Sequence, residues 1–262
     1  MQRFDLAQKL IREAGERLRE AQLEPGTIQQ KTGHQDLVTD WDAATEQFLR
    51  REILGAFPRD AIVGEEYPDA GSGEVTWYLD PIDGTTNFIN QRRNYAISIG
   101  CWRGESPLFG LVLDVERQTL YAAESAQGAW REGQRLHVSA CREIEGLLVD
   151  TPGVLHTFLE PHPWQAGLIH LAQDVRAVRC LGSVALELCA VAAGEADAFI
   201  TLRSSPWDHN AARIILTEAG GALCTLDGLP LPLDKKSTVL AANSMELQAR
   251  LFASYCCAEK EN

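Results

Sequence analysis

An apolar run that stops in two carboxylates sets the tightest constraint on this chain: residues 77–88 read WYLDPIDGTTNF. Trp77-Tyr78-Leu79 reads as the end of a strand, and Asp80-Pro81-Ile82-Asp83-Gly84 as a turn. A plain turn is served by one Asp, a Pro or a Gly. It does not need both Asp80 and Asp83, nor the acidic pair Glu65-Glu66 that closes the short strand-like run Ala61-Ile62-Val63-Gly64. The segment therefore predicts a strand end that presents carboxylates to a pocket. Gly84-Thr85-Thr86 then predicts a helix start, where backbone N–H groups and the helix dipole favour an anion.

Around this segment the chain reads as mixed α and β. Helical periodicity appears near residues 3–21, 41–55, 183–193, 208–219 and 245–257. Strand-like runs include TWYLD, YAISIGCW, LFGLVLDV, TLYAAE, LLVDT, DAFITL and VLAAN. Arg131-Glu132-Gly133-Gln134 reads as a hairpin turn between middle strands. The first half is thus helices followed by an antiparallel meander, and the second alternates strands and helices. This predicts an N-terminal α+β subdomain over 1–143, with most of the acidic candidates, and a C-terminal α/β subdomain over 144–262, with Asp208 and a substrate pocket. No Pro/Gly/Ser-rich linker divides them, so the two are expected to pack tightly.

Composition narrows the function. A formal charge of −13 over 262 residues argues against nonspecific nucleic-acid binding and against an anionic membrane surface. The sequence has no apolar run long enough to span a bilayer, and its first residues trace an amphipathic helix rather than a signal peptide. A cytoplasmic protein is expected. The seven cysteines contain no C-x-x-C motif and read as reduced thiols.

Two further motifs join the first. In Asp36-Leu37-Val38-Thr39-Asp40-Trp41-Asp42, Thr39 and Asp42 fit a capping box opening the helix over 41–55. Asp208 stands in Ser204-Ser205-Pro206-Trp207-Asp208-His209, where another helical pattern begins. Each acid alone is an ordinary cap or turn residue. Together they suit a hard cation such as Mg²⁺, which takes oxygen ligands and keeps waters. No paired-His spacing favours zinc, and no G-x-S-x-G elbow favours a serine hydrolase.

DLVTDWD, VGEE, DPIDGTTNF, LGSVALELCAVAAGEADAF and PWDHNAARIILTEAGG, in this order over most of the chain, resemble the signature segments of the inositol monophosphatase family. Its wider superfamily includes fructose-1,6-bisphosphatases and bisphosphate nucleotidases. The resemblance implies a layered α-β-α-β-α sandwich of the inositol monophosphatase/fructose-1,6-bisphosphatase type. It implies a Mg²⁺-dependent, lithium-sensitive phosphomonoesterase with two or three Mg²⁺ per site, acting on a small phosphate ester and commonly assembled as a homodimer.

Residue by residue, the resemblance implies metal ligands in Glu65, Asp80, Asp83, Asp208 and the carbonyl of Ile82. Asp42, Thr85 and Glu65 would serve catalysis, with Thr85 and Asp42 orienting and deprotonating a water. Asp83, Gly84, Thr85, Gly182, Ser183, Val184, Thr201 and Asp208 would contact substrate. Glu66, Lys31 and Arg203 are further candidates, with Lys31 in a polar segment, 29–35, expected to be a mobile loop. Family members that act on inositol phosphate usually carry a Glu where this chain has Thr201. Inositol monophosphate is the first substrate expected. A 3′(2′),5′-bisphosphate nucleotide or fructose 1,6-bisphosphate is the alternative, and a noncatalytic regulatory or binding role on the same fold is the reading of another class.

Overall fold

The computed structural model describes residues 2–22, 28–33 and 36–257, with backbone alone for 28–33 and 36–38. Apolar residues at helical spacing make α1 (Arg3–Glu20), which buries Leu6, Ala7, Leu10, Ile11, Ala14 and Leu18 along one stripe. The chain then forms an antiparallel pair, β1 (Ile28–Gly33) and β2 (Asp36–Thr39). The polar segment expected as a mobile loop is thus largely strand, its backbone bonded to β2 out to Thr39. Lys31 lies in β1, and its side chain is outside the described residues.

α2 (Asp40–Ala56) starts at the Thr39–Asp42 capping box. The Asp42 carboxylate accepts the Thr39 amide at 2.7 Å, and the Trp41 amide donates to the Thr39 hydroxyl at 3.2 Å. A seven-stranded sheet follows, ordered β3 (Ala61–Gly64), β4 (Val75–Asp83), β5 (Ala96–Arg103), β6 (Ser106–Asp114), β7 (Thr119–Glu124), β8 (Gly128–Arg131) and β9 (Gln134–Arg135). Only the β3–β4 pair is parallel. α3 (Thr85–Asn90) interrupts the sheet after β4. Arg131 pairs with Gln134 across the expected hairpin, with Glu132 and Gly133 both at positive φ, as a type I′ turn requires.

The second sheet has five strands in the order β11-β10-β12-β14-β13, from β10 (Leu148–Asp150), β11 (Ala177–Arg179), β12 (Ala198–Ser204), β13 (Ala222–Cys224) and β14 (Ser237–Ala242). Its helices are α4 (Gln165–Asp174), α5 (Val184–Ala192), α6 (Pro206–Glu218) and α7 (Met245–Leu251). Strand alternation sorts them into layers. Trp77, Leu79, Ile97, Ile99, Leu111 and Leu113 pack with α1 and α2, whereas Tyr78, Ala96, Trp102 and Val112 pack with α5 and α6. On β12 and β14, Phe199, Val239 and Ala241 join that same central helix layer. Ala198, Ile200, Leu240 and Ala242 turn outward to α4 and α7. The result is the expected α-β-α-β-α sandwich.

The middle layer seats α6 unusually close to the first sheet. A Cβ on Gly100 would stand 3.0 Å from the Ala211 nitrogen, and one on Gly110 would overlap the Ala211 carbonyl. These two glycines let the helix approach and bring its N-terminal turn, with Asp208, toward the end of β4. α3 begins where Gly84-Thr85-Thr86 predicted a helix start, whereas α4 was not legible in the sequence, being too weakly patterned. The pattern over 245–257 breaks at Leu251 into the wider helical turn Phe252–Cys256.

Candidate active site

A regular strand would point residues three apart to opposite faces. Asp80 and Asp83 nevertheless share a face, because β4 carries a bulge between them. Asp80 is paired with Ser98, and Asp83 with Ala96, so three steps on β4 match two on β5. Pro81, with no N–H to lose, sits within the bulge. The Ile82 amide turns back to Asp80 Oδ1 at 3.1 Å, and Ile82 itself is buried toward α1 and α2. Parallel pairing of Gly64 with Leu79 brings Glu65, just past β3, beside Asp80.

The electrostatics reflect this crowding. Burial, with Glu65, Asp83, Asp208 and Asp42 adding repulsion, pushes the Asp80 carboxyl well above its ordinary value. Asp208 rises well above its ordinary value for the same reasons, burial first and then Asp83 and Glu65, while the amide of Ser205 and Lys236 oppose the rise. Among the described residues no three Asp, Glu, His or Cys side chains have closed to the spacing of a ligand shell. Glu65, Asp83 and Asp208 nevertheless act on the charge of Asp80, and Asp83 and Glu65 on that of Asp208.

Asp83 is held by residues from the second half of the chain. Ser183 Oγ donates to its Oδ2 at 2.6 Å, Ala185 N to Oδ2 at 2.7 Å and Val184 N to Oδ1 at 3.2 Å. Burial pushes Asp83 up to about 6 against these three donors. Ser183 and Val184, expected to contact substrate, instead spend their donors on this carboxylate. Gly182 adjoins them, its carbonyl 3.1 Å from where a Cβ of Gly84 would lie. Gly84 has φ 93°, a left-handed conformation that favours glycine, and opens α3.

Thr85, the first residue of α3, lies 3.1 Å from Asp42 Oδ1 and 3.0 Å from the Ile82 carbonyl through its hydroxyl. Asp42 is 1% exposed. Burial lifts its carboxyl to about 6, opposed by the Thr39 and Thr85 hydrogen bonds and aided by Glu66.

Thr201 is not brought to the site. It is buried, and its hydroxyl donates to the Arg203 carbonyl at 3.1 Å and accepts the Arg203 amide at 3.3 Å, closing a bulge in β12. Arg203 takes the open position, exposed and 3.4 Å from Glu160. With Ser204, Ser205, Asp208, Lys236 and Thr238 it lines a cavity of about 420 Å³. His209 is buried and neutral, its pKa lowered by burial to about 4, with Nδ1 2.8 Å from Ser204 Oγ.

Sequence reasoning missed Glu46 and Arg50. Arg50 Nε donates to Glu46 Oε1 at 2.6 Å, and both side chains are nearly dry. Glu46 Oε2 accepts the Glu66 amide at 2.7 Å, and Arg50 reaches the carbonyls of Tyr67 and Pro68, each at 3.0 Å. The pair clamps the turn that carries Glu65. An i,i+4 Glu–Arg spacing was the available signal, but it is common on solvated helices.

Carboxylates at one sheet end, opposite a glycine turn and a Thr–Asp pair, in this layered fold, define a phosphoric monoester hydrolase. The chain belongs to the inositol monophosphatase family, whose profile it matches over residues 2–260. It is 38% identical to the inositol-1-monophosphatase of Bacillus subtilis (strain 168), over 98% of this chain and 97% of that one. The solved structure of inositol monophosphate-bound SaIMPase-II, a staphylococcal enzyme, superposes with a TM-score of 0.84 at 30% identity, covering 97% of this chain and 93% of its own. The 2′AMP-bound form of SaIMPase-II has a TM-score of 0.84 at 32% identity, with the same coverage.

Proposed function

We propose that this phosphatase is Mg²⁺-dependent and hydrolyses a small polyol or sugar phosphate, inositol monophosphate first among them, through an activated water. The β4 bulge carries this reading: it turns Asp80 and Asp83 to one face, toward Glu65 and Asp208. The donor set fits a hard divalent cation, being all oxygen, anionic and mutually repulsive. Glu65, Asp80, Asp83, Asp208 and the Ile82 carbonyl would hold two or three such ions. When bound, they supply positive charge to the phosphoryl oxygens and make water more acidic.

The chain's own groups do the rest. While its hydroxyl donates a hydrogen bond to Asp42, the Thr85 oxygen accepts a hydrogen bond from the attacking water. As the water's oxygen bonds to phosphorus and the ester bond breaks, its proton passes to Thr85 and that of Thr85 to Asp42. The Gly84 and Thr85 amides hold the phosphoryl oxygens. The leaving alkoxide takes a proton from solvent. The reading carries with it lithium sensitivity, a homodimer and a cytoplasmic location. Among the described residues no helix is long and apolar enough to cross a membrane.

A second reading is a nucleotide carrying a 2′- or 3′-phosphate. Arg203 and Lys236 beside Asp208 favour a leaving group with its own negative charge, and SaIMPase-II was solved with 2′AMP. Phosphate release in Mg²⁺ from inositol 1-phosphate, fructose 1,6-bisphosphate, 2′AMP and adenosine 3′,5′-bisphosphate decides between them. No release from any ester, with or without Mg²⁺, would sink both.

Asp42 makes a pH prediction. It is the proton acceptor only when ionised, so kcat should fall as pH drops through about 6, its raised value. Asp42→Asn should remove that acid limb and lower kcat by about 10²-fold or more, the scale of lost general-base assistance. A variant with the wild-type limb would assign the titration to another group.

A further inference from the structure

The chemistry above leaves Glu187 unused. It lies in α5, fully buried. Its Oε1 accepts the amides of Leu181 at 2.6 Å and Gly182 at 3.2 Å. Its Oε2 is buried with no hydrogen-bond partner among the described residues. A carboxyl group left half-satisfied in a core costs stability, so what it grips is informative. The Leu181 carbonyl accepts Asn87 Nδ2 from α3 at 2.6 Å, and the same nitrogen donates to the Asn94 carbonyl at 2.8 Å. The Gly182 carbonyl lies 3.1 Å from where a Cβ on Gly84 would stand, and Ser183 holds Asp83. One three-residue loop therefore touches both the carboxylate cluster and the phosphate turn, and Glu187 ties that loop to the central helix.

We propose that Glu187 is a positioning residue that locks the 181–183 loop against Asp83 and the Gly84 turn, and so sets the geometry in which phosphate is held. The role in turnover rests on the phosphatase reading above; the lock itself does not.

Among the described residues, Asp150 at the end of β10, Asp83 at the end of β4 and Cys180 just before the loop face Glu187. Burial raises its carboxyl to about 8, against the pull of the Leu181 amide, with Asp150 adding to the rise. The group is thus neutral at neutral pH. Because its value is raised, the stability it contributes is present at low pH and is lost as pH climbs through about 8. Between about pH 5 and about pH 8, opening the loop to hydrate a negative charge that would otherwise be buried near Asp83 becomes steadily easier.

Amide hydrogen exchange at Leu181 and Gly182, corrected for intrinsic rate, tests the lock in wild type, Glu187→Gln and Glu187→Leu. Glutamine keeps the acceptor and stays neutral at every pH, whereas leucine keeps the bulk and loses the acceptor. In Glu187→Leu the two amides should exchange at least about tenfold faster, the scale of one lost hydrogen bond, with β5 amides unchanged. With p-nitrophenyl phosphate and Mg²⁺, its kcat should fall by about 10²-fold, as for a misplaced reacting group, with KM moving less. Glu187→Gln should keep most of the wild-type kcat and lose the alkaline decline centred near about pH 8.

Wild-type kcat in a Leu variant whose amides have lost protection would overturn the proposal, as would a Gln variant as impaired as Leu. Should the Leu variant not fold, wild-type exchange decides: protection of the two amides must drop between about pH 5 and about pH 8, and constant protection refutes the lock. If no ester is hydrolysed at all, the exchange results still stand, so the two failures are distinguishable.

Discussion

Asp80→Asn is expected to lower kcat by about 10³-fold or more, the upper range for removing one electrostatic contact to a developing charge, and at the same time to stabilise the cation-free protein. The two effects have one cause. Asp80 sits where Glu65, Asp83, Asp208 and Asp42 all raise its carboxyl, after burial has already done so. A raised carboxyl value means the folded chain holds the proton more tightly than the unfolded one. The stability this gives is complete below the ordinary carboxylate range and disappears as pH rises through the folded value. For Asp83, moved from 3.8 to about 6, the loss is about 3 kcal/mol. Cation-free protein should therefore melt at a higher temperature in mild acid than at neutral pH, and Mg²⁺ should restore stability at neutral pH. Asparagine at position 80 removes one charge from the cluster, so both the pH dependence and the Mg²⁺-induced rise in Tm should shrink. Scanning calorimetry with and without Mg²⁺, alongside kinetics, checks this. A variant that keeps near-normal turnover at low Mg²⁺ would remove Asp80 from the metal site.

Arg50→Met should cost about 3–5 kcal/mol, the range for breaking a buried pair and leaving its partner charged. Glu46, whose side chain is 0% exposed, keeps its bonds from the Glu66 and Tyr67 amides but loses the only guanidinium described beside it. Arg50 also releases the carbonyls of Tyr67 and Pro68, so the turn after β3 should open and Glu65 should lose its position. Urea unfolding should show the loss, and Mg²⁺ affinity should weaken in the fraction that stays folded. A change below about 1 kcal/mol, typical of an exposed ion pair, would mean that solvent reaches Glu46.

Features that close within a few residues were legible in the sequence. The Thr39–Asp42 box, the Pro206 helix start with Asp208 at its third position, and the Glu132-Gly133 turn each depend on hydrogen bonds or φ angles set by near neighbours. The five-layer sandwich was legible through the family resemblance, and the amphipathic stripe of α1 through period alone. The substrate contacts were not legible in the same way. Thr201 looked open because its place in the chain said nothing of which face β12 would bury. Ser183 and Val184 looked like pocket walls, yet they hold Asp83 from a hundred residues away.

By itself the chain determined that two aspartates flank a proline at a strand end and are followed by a glycine; it read the segment as a turn, whereas β4 runs on through Asp83 with a bulge that its pairing with β5 defines. Only the tertiary structure decided what surrounds them. The parity of sheet faces, the close seat of α6 on Gly100 and Gly110, and the long-range donors to Asp83 and the Glu65 turn all come from packing between elements far apart in sequence. Packing of that kind depends on volumes and distances that no local pattern encodes.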